Sequence, residues 1–284
     1  EEVKPKIIFH LAAQSLVFKS YDEPKETFLT NSIGSLNILE ALRQTKLKTN
    51  IIMITSDKAY LNIEKKSGYK EIDKLGGKDP YSASKAAAEH VIDAYANSFF
   101  IKNKKIKIVT ARAGNVIGGG DWSNNRIVPD IINSWRSKKT LEVRNPQSTR
   151  PWQHVLDPLF GYLLLAFKLN LDKNLNNEKF NFGPNMKNDF TVKDLIENLG
   201  KSLEGFKWLS KKSNYLYEAN LLKLNCNKAK KTLNWRPLLN FNEVAKFTTD
   251  WYKSYYMNSN KDCLKTSTIQ IDSYMKKFLN DQNF

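Results

Sequence analysis

The chain has 284 residues, with 45 Lys/Arg against 29 Asp/Glu for a formal charge of +16, and is 41% hydrophobic and 26% charged. That balance excludes a disordered or fibrous class, and the length suits one large domain or two modest ones. The longest apolar stretch, around 159–169, is broken by Tyr162 and Lys168 and is too short to span a bilayer, so no membrane partner is expected.

In chain order, residues 6–9 (KIIF), 50–55 (NIIMIT) and 106–111 (IKIVTA) read as short apolar strands of a parallel sheet buried on both faces. Helices are expected over 28–42, where Ile33, Leu36 and Leu39 recur at three-residue spacing, and over 83–100, where Val91, Ile92 and Tyr95 follow an alanine-rich start. Strands alternating with helices imply an α/β fold, a Rossmann-like doubly wound parallel sheet. Beyond Gly118 a smaller α/β region is expected, with helices over 126–136, 156–169 and 191–203 and strands over 141–143 and 179–182. Arg236-Pro237 closes a further helical stretch, 241–256 forms another, and the Asn- and Lys-rich remainder is expected to fray. The domain reading is 1–117 for the first unit, with segments around 153–185 returning to it, and 118–284 mainly for the second.

The positive charge admits three readings: nucleic-acid binding, an acidic substrate or compositional bias. Most lysines stand singly among asparagines and no nucleic-acid-binding module accompanies them. No nucleic-acid partner is expected, and a phosphate-bearing substrate is the main alternative to bias. Only Cys226 and Cys263 are present and the first residues do not resemble a secretion signal, which favours a reducing, cytoplasmic setting. His10, His90 and His154 lie far apart without acidic ligand spacing, so no metal site is expected.

Pro80-Tyr81-Ser82-Ala83-Ser84-Lys85 sets a phenol and an ammonium four residues apart at a helix start, on one face. A lysine charge favours the phenolate, bringing a group that titrates near 10 toward neutrality, where it accepts a hydroxyl proton. An exposed helix pair is the plain alternative, since Tyr21 and Lys25 show the same spacing. Ser56, Asp57 and Lys58 follow the strand at 50–55, at the carboxyl end where ligands bind in parallel sheets. Alone, they read equally well as a polar turn.

These residues carry a resemblance. His10-Leu11-Ala12-Ala13-Gln14, Asn31, Thr55-Ser56-Asp57-Lys58 and Tyr81-x-x-x-Lys85 resemble, in identity and order, the extended short-chain dehydrogenase/reductases. The runs ARAGNVIGGGDW at 111–122 and RPWQHV at 150–155 look more narrowly like the CDP-glucose branch of its nucleotide-sugar 4,6-dehydratases. The resemblance covers about 6 to 256.

The resemblance implies NAD as cofactor, held in part by Leu11, Ala12, Ala13, Gln14, Asn31, Tyr81 and Lys85, and a nucleotide-sugar substrate. Tyr81, assisted by Lys85 and Ser56, would take the sugar 4-hydroxyl proton; Lys58 would remove the C5 proton and Asp57 would protonate the departing 6-hydroxyl. Lysine at 58 is the CDP-glucose pattern, whereas dTDP-glucose enzymes generally carry glutamate there. Arg126 and Arg150, with Arg144 a lesser candidate, are assigned to the diphosphate, because guanidinium forks suit phosphate oxygens; Asn115 matches the family asparagine that helps hold the nucleotide sugar, and Tyr217 is placed near the pyrimidine. The family also implies a homodimer.

One motif is missing. A Rossmann domain opens with strand, G-x-G-x-x-G and helix, and Gly118-Gly119-Gly120 has neither that place nor that spacing. The sequence is therefore expected to start inside the fold, N-terminally truncated, which leaves an inactive fragment as one alternative and a nucleotide-sugar 4-epimerase as another.

Overall fold

The computed structural model describes residues 3–45, 47–102, 105–185, 189–211, 221–257 and 260–281. The elements run β1 (Ile7–His10), α1 (Val17–Asp22), α2 (Pro24–Phe28), α3 (Gly34–Gln44), β2 (Thr49–Ile54), α4 (Pro80–Tyr95) and β3 (Ile106–Ala113). They continue with β4 (Val116–Ile117), α5 (Ile127–Ser137), β5 (Leu141–Val143), β6 (Gln153–His154), α6 (Leu156–Leu171) and β7 (Lys179–Phe182). The last are α7 (Val192–Gly200), β8 (Trp208–Ser210), α8 (Asn227–Leu233), α9 (Phe241–Met257) and α10 (Asn260–Asp281). The chain forms two compact units: Glu1–Gly114 with Phe160–Phe182 and Lys223–Trp235, and Asn115–Leu159 with Gly183–Leu222 and Arg236–Phe284.

The first unit holds a four-stranded parallel sheet in the order β1-β2-β3-β7. Because strand side chains alternate, Ile51, Met53, Ile106 and Ile108 face one way, onto Leu39 and Leu42 of α3 and Ile92 of α4. Ile52, Val109 and Ala111 face the other way, onto Leu165 and Leu169 of α6, Leu233 of α8 and Trp235. A strand buried on both faces must be apolar at consecutive positions, which is why IIMI and IVTA read as unbroken runs. The sheet is thus the doubly wound parallel arrangement expected from the sequence.

Local chemistry sets where α4 starts. Asp79 accepts from the backbone N–H of Ser82 at 2.9 Å, and Pro80 occupies the first helical turn, where its missing N–H costs nothing. The helix expected over 28–42 is instead divided: α2 ends at Phe28, a π-helical turn spans Leu29–Ile33, and α3 follows. That turn carries Asn31.

In the second unit, β4 pairs with β6 and β5 with β8, both in parallel. Tyr252 of α9 locks the loop after β4: its hydroxyl accepts from the N–H of Asp121 at 3.1 Å and donates to the Asp121 carbonyl at 2.7 Å. A Cβ on Gly119 would lie 2.1 Å from the Trp251 ring, so only glycine lets this loop approach α9. The frayed end expected after 256 is corrected by α10, which docks on α9 through Gln270 Nε2 to the Phe247 carbonyl (2.7 Å) and Lys277 to Glu243 (2.5 Å).

Candidate active site

The turn that leaves β2 is built from its own side chains. Ser56 is extended and caps the 3₁₀ turn Asp57–Ala59, its Oγ accepting from the Lys58 N–H at 3.2 Å and donating to Asp57 Oδ1 at 3.0 Å. Ser56 and Asp57 are buried and Lys58 is half-buried. Gly114, just after β3, lies so near that a Cβ there would fall 1.9 Å from Asp57 Oδ2.

Tyr81 and Lys85 sit one turn apart on the buried face of α4, 7% and 6% exposed. The Tyr81 backbone N–H donates to Ser20 Oγ at 3.2 Å, and its carbonyl accepts from Ser84 Oγ at 2.7 Å. Burial lowers Lys85 to about 8, opposed by the charge of Glu89 one turn further on. The Lys85 ammonium makes no hydrogen bond among the described residues. Burial, and then the charge of Lys85, hold His10 below the usual imidazole range.

The segment after β1 is shaped from behind. Asn31 Oδ1 accepts from the Gln14 N–H at 2.8 Å, and its Nδ2 donates to the Gln14 carbonyl at 3.0 Å and to Ser84 Oγ at 2.9 Å. The Gln14 side chain is also turned inward, onto Leu16 and Thr27. Asn31 and Gln14 therefore act as braces for this segment, in which Leu11, Ala12 and Ser15 are exposed. Ser32 Oγ adds a 2.9 Å bond to the Ser84 carbonyl, tying the π-helical turn to α4.

In the second unit, Asn115 adopts a left-handed φ of 46°, a conformation asparagine tolerates, and its carbonyl accepts from the Gln153 N–H at 3.3 Å. Arg126 immediately precedes α5, in an extended conformation and without a side-chain capping bond, and pairs with Asp121 at 3.1 Å. Arg150 is buried and donates to the Thr149 carbonyl at 2.8 Å. Arg144 is exposed, and its charge partly offsets the burial that raises Asp130. His154 is packed edge-on against Phe247 and lowered to about 4 by burial. Trp122 is 44% exposed yet flanked by Trp251, Tyr252, Tyr255 and Tyr256. Tyr217 lies outside the described residues.

Four residues given no individual role from sequence converge behind the β2 turn: Thr55, Tyr60, Glu89 and Arg112. Arg112 and Glu89 form a bidentate pair at 2.7 and 2.8 Å, 1% and 0% exposed. A charged residue inside the apolar run IKIVTARA was the available signal for Arg112. Glu89, one turn beyond Lys85 on an alanine-rich helix, was its counterpart.

The doubly wound parallel sheet, with Ser56 at the carboxyl end of β2 and Tyr81 and Lys85 on the buried face of α4, defines an α/β protein of the Rossmann type. Residues 1–248 match the family model described as GDP-mannose 4,6 dehydratase, and the chain belongs to that family. It is 41% identical over 280 residues to a CDP-glucose 4,6-dehydratase of Salmonella typhimurium, covering 96% of this chain and 77% of that protein. A UDP-glucose 4-epimerase of Mycoplasma pneumoniae is 24% identical, over 90% of this chain and 78% of the relative. Among solved structures, an epimerase from Methanothermobacter thermautotrophicus shares the fold at a TM-score of 0.79 and 21% identity, covering 90% of this chain and 74% of that one. A Bacillus cereus UDP-glucuronic acid 4-epimerase, in complex with UDP-glucuronic acid and NAD, has a TM-score of 0.75 and 22% identity, with 88% and 76% covered.

Proposed function

We propose that this chain is a nucleotide-sugar 4,6-dehydratase that converts CDP-glucose to CDP-4-keto-6-deoxyglucose and water. One observation carries the reading: Asp57 and Lys58 share a single turn with Ser56 at the carboxyl end of β2. An elimination needs an acid and a base in addition to the Tyr-Lys-Ser set that handles the 4-hydroxyl, and this turn supplies both. The relative of 41% identity, named for that reaction, supports the choice of substrate.

The residues suit NAD on a structural ground. Lys85 is buried as a cation whose donors meet no acceptor among the described residues, which leaves them for a ribose hydroxyl and the Tyr81 phenol. Exposed Leu11 and Ala12 offer a low surface for the cofactor's flat groups. Bound NAD would supply a reversible hydride acceptor for the sugar, leaving no net redox change.

The chain's own residues do the rest. Tyr81 takes the 4-hydroxyl proton, with Lys85 stabilising the phenolate and Ser56 assisting at the same hydroxyl. The 4-ketone acidifies C5, whose proton passes to Lys58. Asp57 then protonates the leaving 6-hydroxyl. Arg126, Arg144 and Arg150 are assigned to the nucleotide diphosphate, Asn115 to holding the nucleotide sugar, and Tyr217 to the base.

A homodimer through α3 and α4 is part of this reading, supported by the exposed Leu29, Ile33, Ile38, Phe99 and Ile101 on and beside those helices. Light scattering that finds only monomer rejects it. A cytoplasmic location is supported by the two free thiols, Cys226 and Cys263. Among the described residues no helix is long and apolar enough to cross a membrane. The substrate is tested by incubating the protein and NAD with CDP-, dTDP-, GDP- and UDP-glucose and following loss of one water by mass spectrometry. Loss from CDP-glucose alone is expected; loss from another sugar nucleotide instead overturns the substrate.

A further inference from the structure

The three reactive residues of the β2 turn lie between Thr55 and Tyr60, and both flanks are tied to one buried ion pair. Thr55 Oγ1 donates to Glu89 Oε1. At the other end, the Tyr60 hydroxyl accepts from Arg112 Nη1 at 2.7 Å, and the Arg112 guanidinium lies 4.8 Å from the Tyr60 ring centroid. Arg112 closes the ring through its bidentate bonds to Glu89 at 2.7 and 2.8 Å. The Tyr60 hydroxyl in turn donates to Asn181 Oδ1 of β7 at 2.8 Å, and Arg112 Nη1 reaches the Glu71 carbonyl at 3.0 Å. Glu89 stands on α4, one turn beyond Lys85 and two beyond Tyr81, so one carboxylate joins the helix of the phenol to the turn of the acid and base.

A fully buried pair is a weak source of stability, because desolvating two charges costs about as much as their attraction returns. Its geometry is nonetheless stiff: a planar fork fixes the carboxylate in plane and in distance. Here that stiffness falls across a span where an error of about 1 Å costs on the order of 100-fold in rate.

We infer that the Glu89–Arg112 pair is a positioning device that, through Thr55 and Tyr60, fixes Ser56, Asp57 and Lys58 relative to Tyr81 and Lys85. This rests on the dehydratase reading. The pair governs how fast water leaves the bound sugar and has no part in how tightly the nucleotide is held.

Thr55→Val and Tyr60→Phe each remove one tether and leave the ion pair in place, while Thr55→Ser keeps its hydroxyl. Steady-state kinetics with CDP-glucose are measured beside amide hydrogen exchange of the free protein. The two tether variants are expected to lose roughly 10- to 100-fold in kcat with KM within about 2-fold, and to exchange faster at 56–60. Thr55→Ser should return kcat to within about 3-fold of the parent. Unchanged kcat together with unchanged exchange at 56–60 overturns the proposal. So does a loss that Thr55→Ser fails to restore and that follows a general fall in melting temperature. If the parent removes no water from any of the four sugar nucleotides, the dehydratase reading falls, and exchange at 56–60 alone decides whether the pair holds the turn.

Discussion

Gly114 and Asp57 are in contact across the ends of β3 and β2: a Cβ on Gly114 would lie 1.9 Å from Asp57 Oδ2 and 2.3 Å from its carboxyl carbon. Any side chain at 114 must therefore move the carboxyl assigned to protonate the leaving hydroxyl. Gly114→Ala is predicted to destabilise the protein by about 1–3 kcal/mol, as overpacking does, and to slow water loss. Urea denaturation and turnover measured on the same preparation check this. An active, equally stable variant would mean that Asp57 is free to shift without consequence.

Lys85 offers a prediction with a defined sign. Burial lowers its folded-state value from 10.5 to about 8, so between those limits the unfolded chain binds more protons than the folded one. Stability from this group is therefore least below about pH 8 and rises toward pH 10.5. The stability of the parent relative to Lys85→Met should improve by on the order of 3 kcal/mol across that window, given 1.36 kcal/mol per unit. Denaturant titrations of both proteins at several pH values would show it; a pH-independent difference contradicts the buried, lowered ammonium.

Breaking the buried pair should be costly in a different way. Arg112→Ala leaves the Glu89 carboxylate, 0% exposed, without its guanidinium and is predicted to cost about 3–5 kcal/mol. The double replacement Glu89→Met with Arg112→Met should cost less than either single one. Thermal melts of the three proteins test the ordering, and additive losses would contradict it.

What was legible in the sequence was local. Strands β2 and β3 announce themselves because burial on both faces demands consecutive apolar residues, and Tyr81-x-x-x-Lys85 because one helical turn fixes the spacing. The ring of Thr55, Glu89, Arg112 and Tyr60 was not, since it joins residues up to 57 positions apart. Strands β4, β6 and β8, only two or three residues long, leave no periodicity to read. The polar composition of α10 pointed to fraying, but its order comes from long-range contacts: Tyr274 donates to buried Asp157 at 3.0 Å, and Gln270 reaches across to α9. Asn31 and Gln14 are placed at the cofactor by resemblance; that their side chains bond to the backbone and to Ser84 and Thr27 is a matter geometry alone reveals.

Among the arginines of the second unit, the fit to phosphate is unequal. Arg126 pairs with Asp121 at 3.1 Å on a partly exposed surface, where an ion pair is weak and a diphosphate can compete for the guanidinium. Arg126→Ala is predicted to raise KM for CDP-glucose roughly 10-fold with little change in kcat, the signature of lost uniform binding. Steady-state kinetics decide it, and an unaltered KM would remove Arg126 from the diphosphate site.

The most direct test of the account is to compare the parent with Lys58→Ala, each incubated with CDP-glucose and NAD and followed by mass spectrometry of the sugar and absorbance of reduced cofactor. The account predicts loss of one water with the parent, and with Lys58→Ala a loss slowed by about 100-fold or more while cofactor reduction persists. A product of unchanged mass from the parent, or full water loss without Lys58, would contradict the assignment of this turn to elimination.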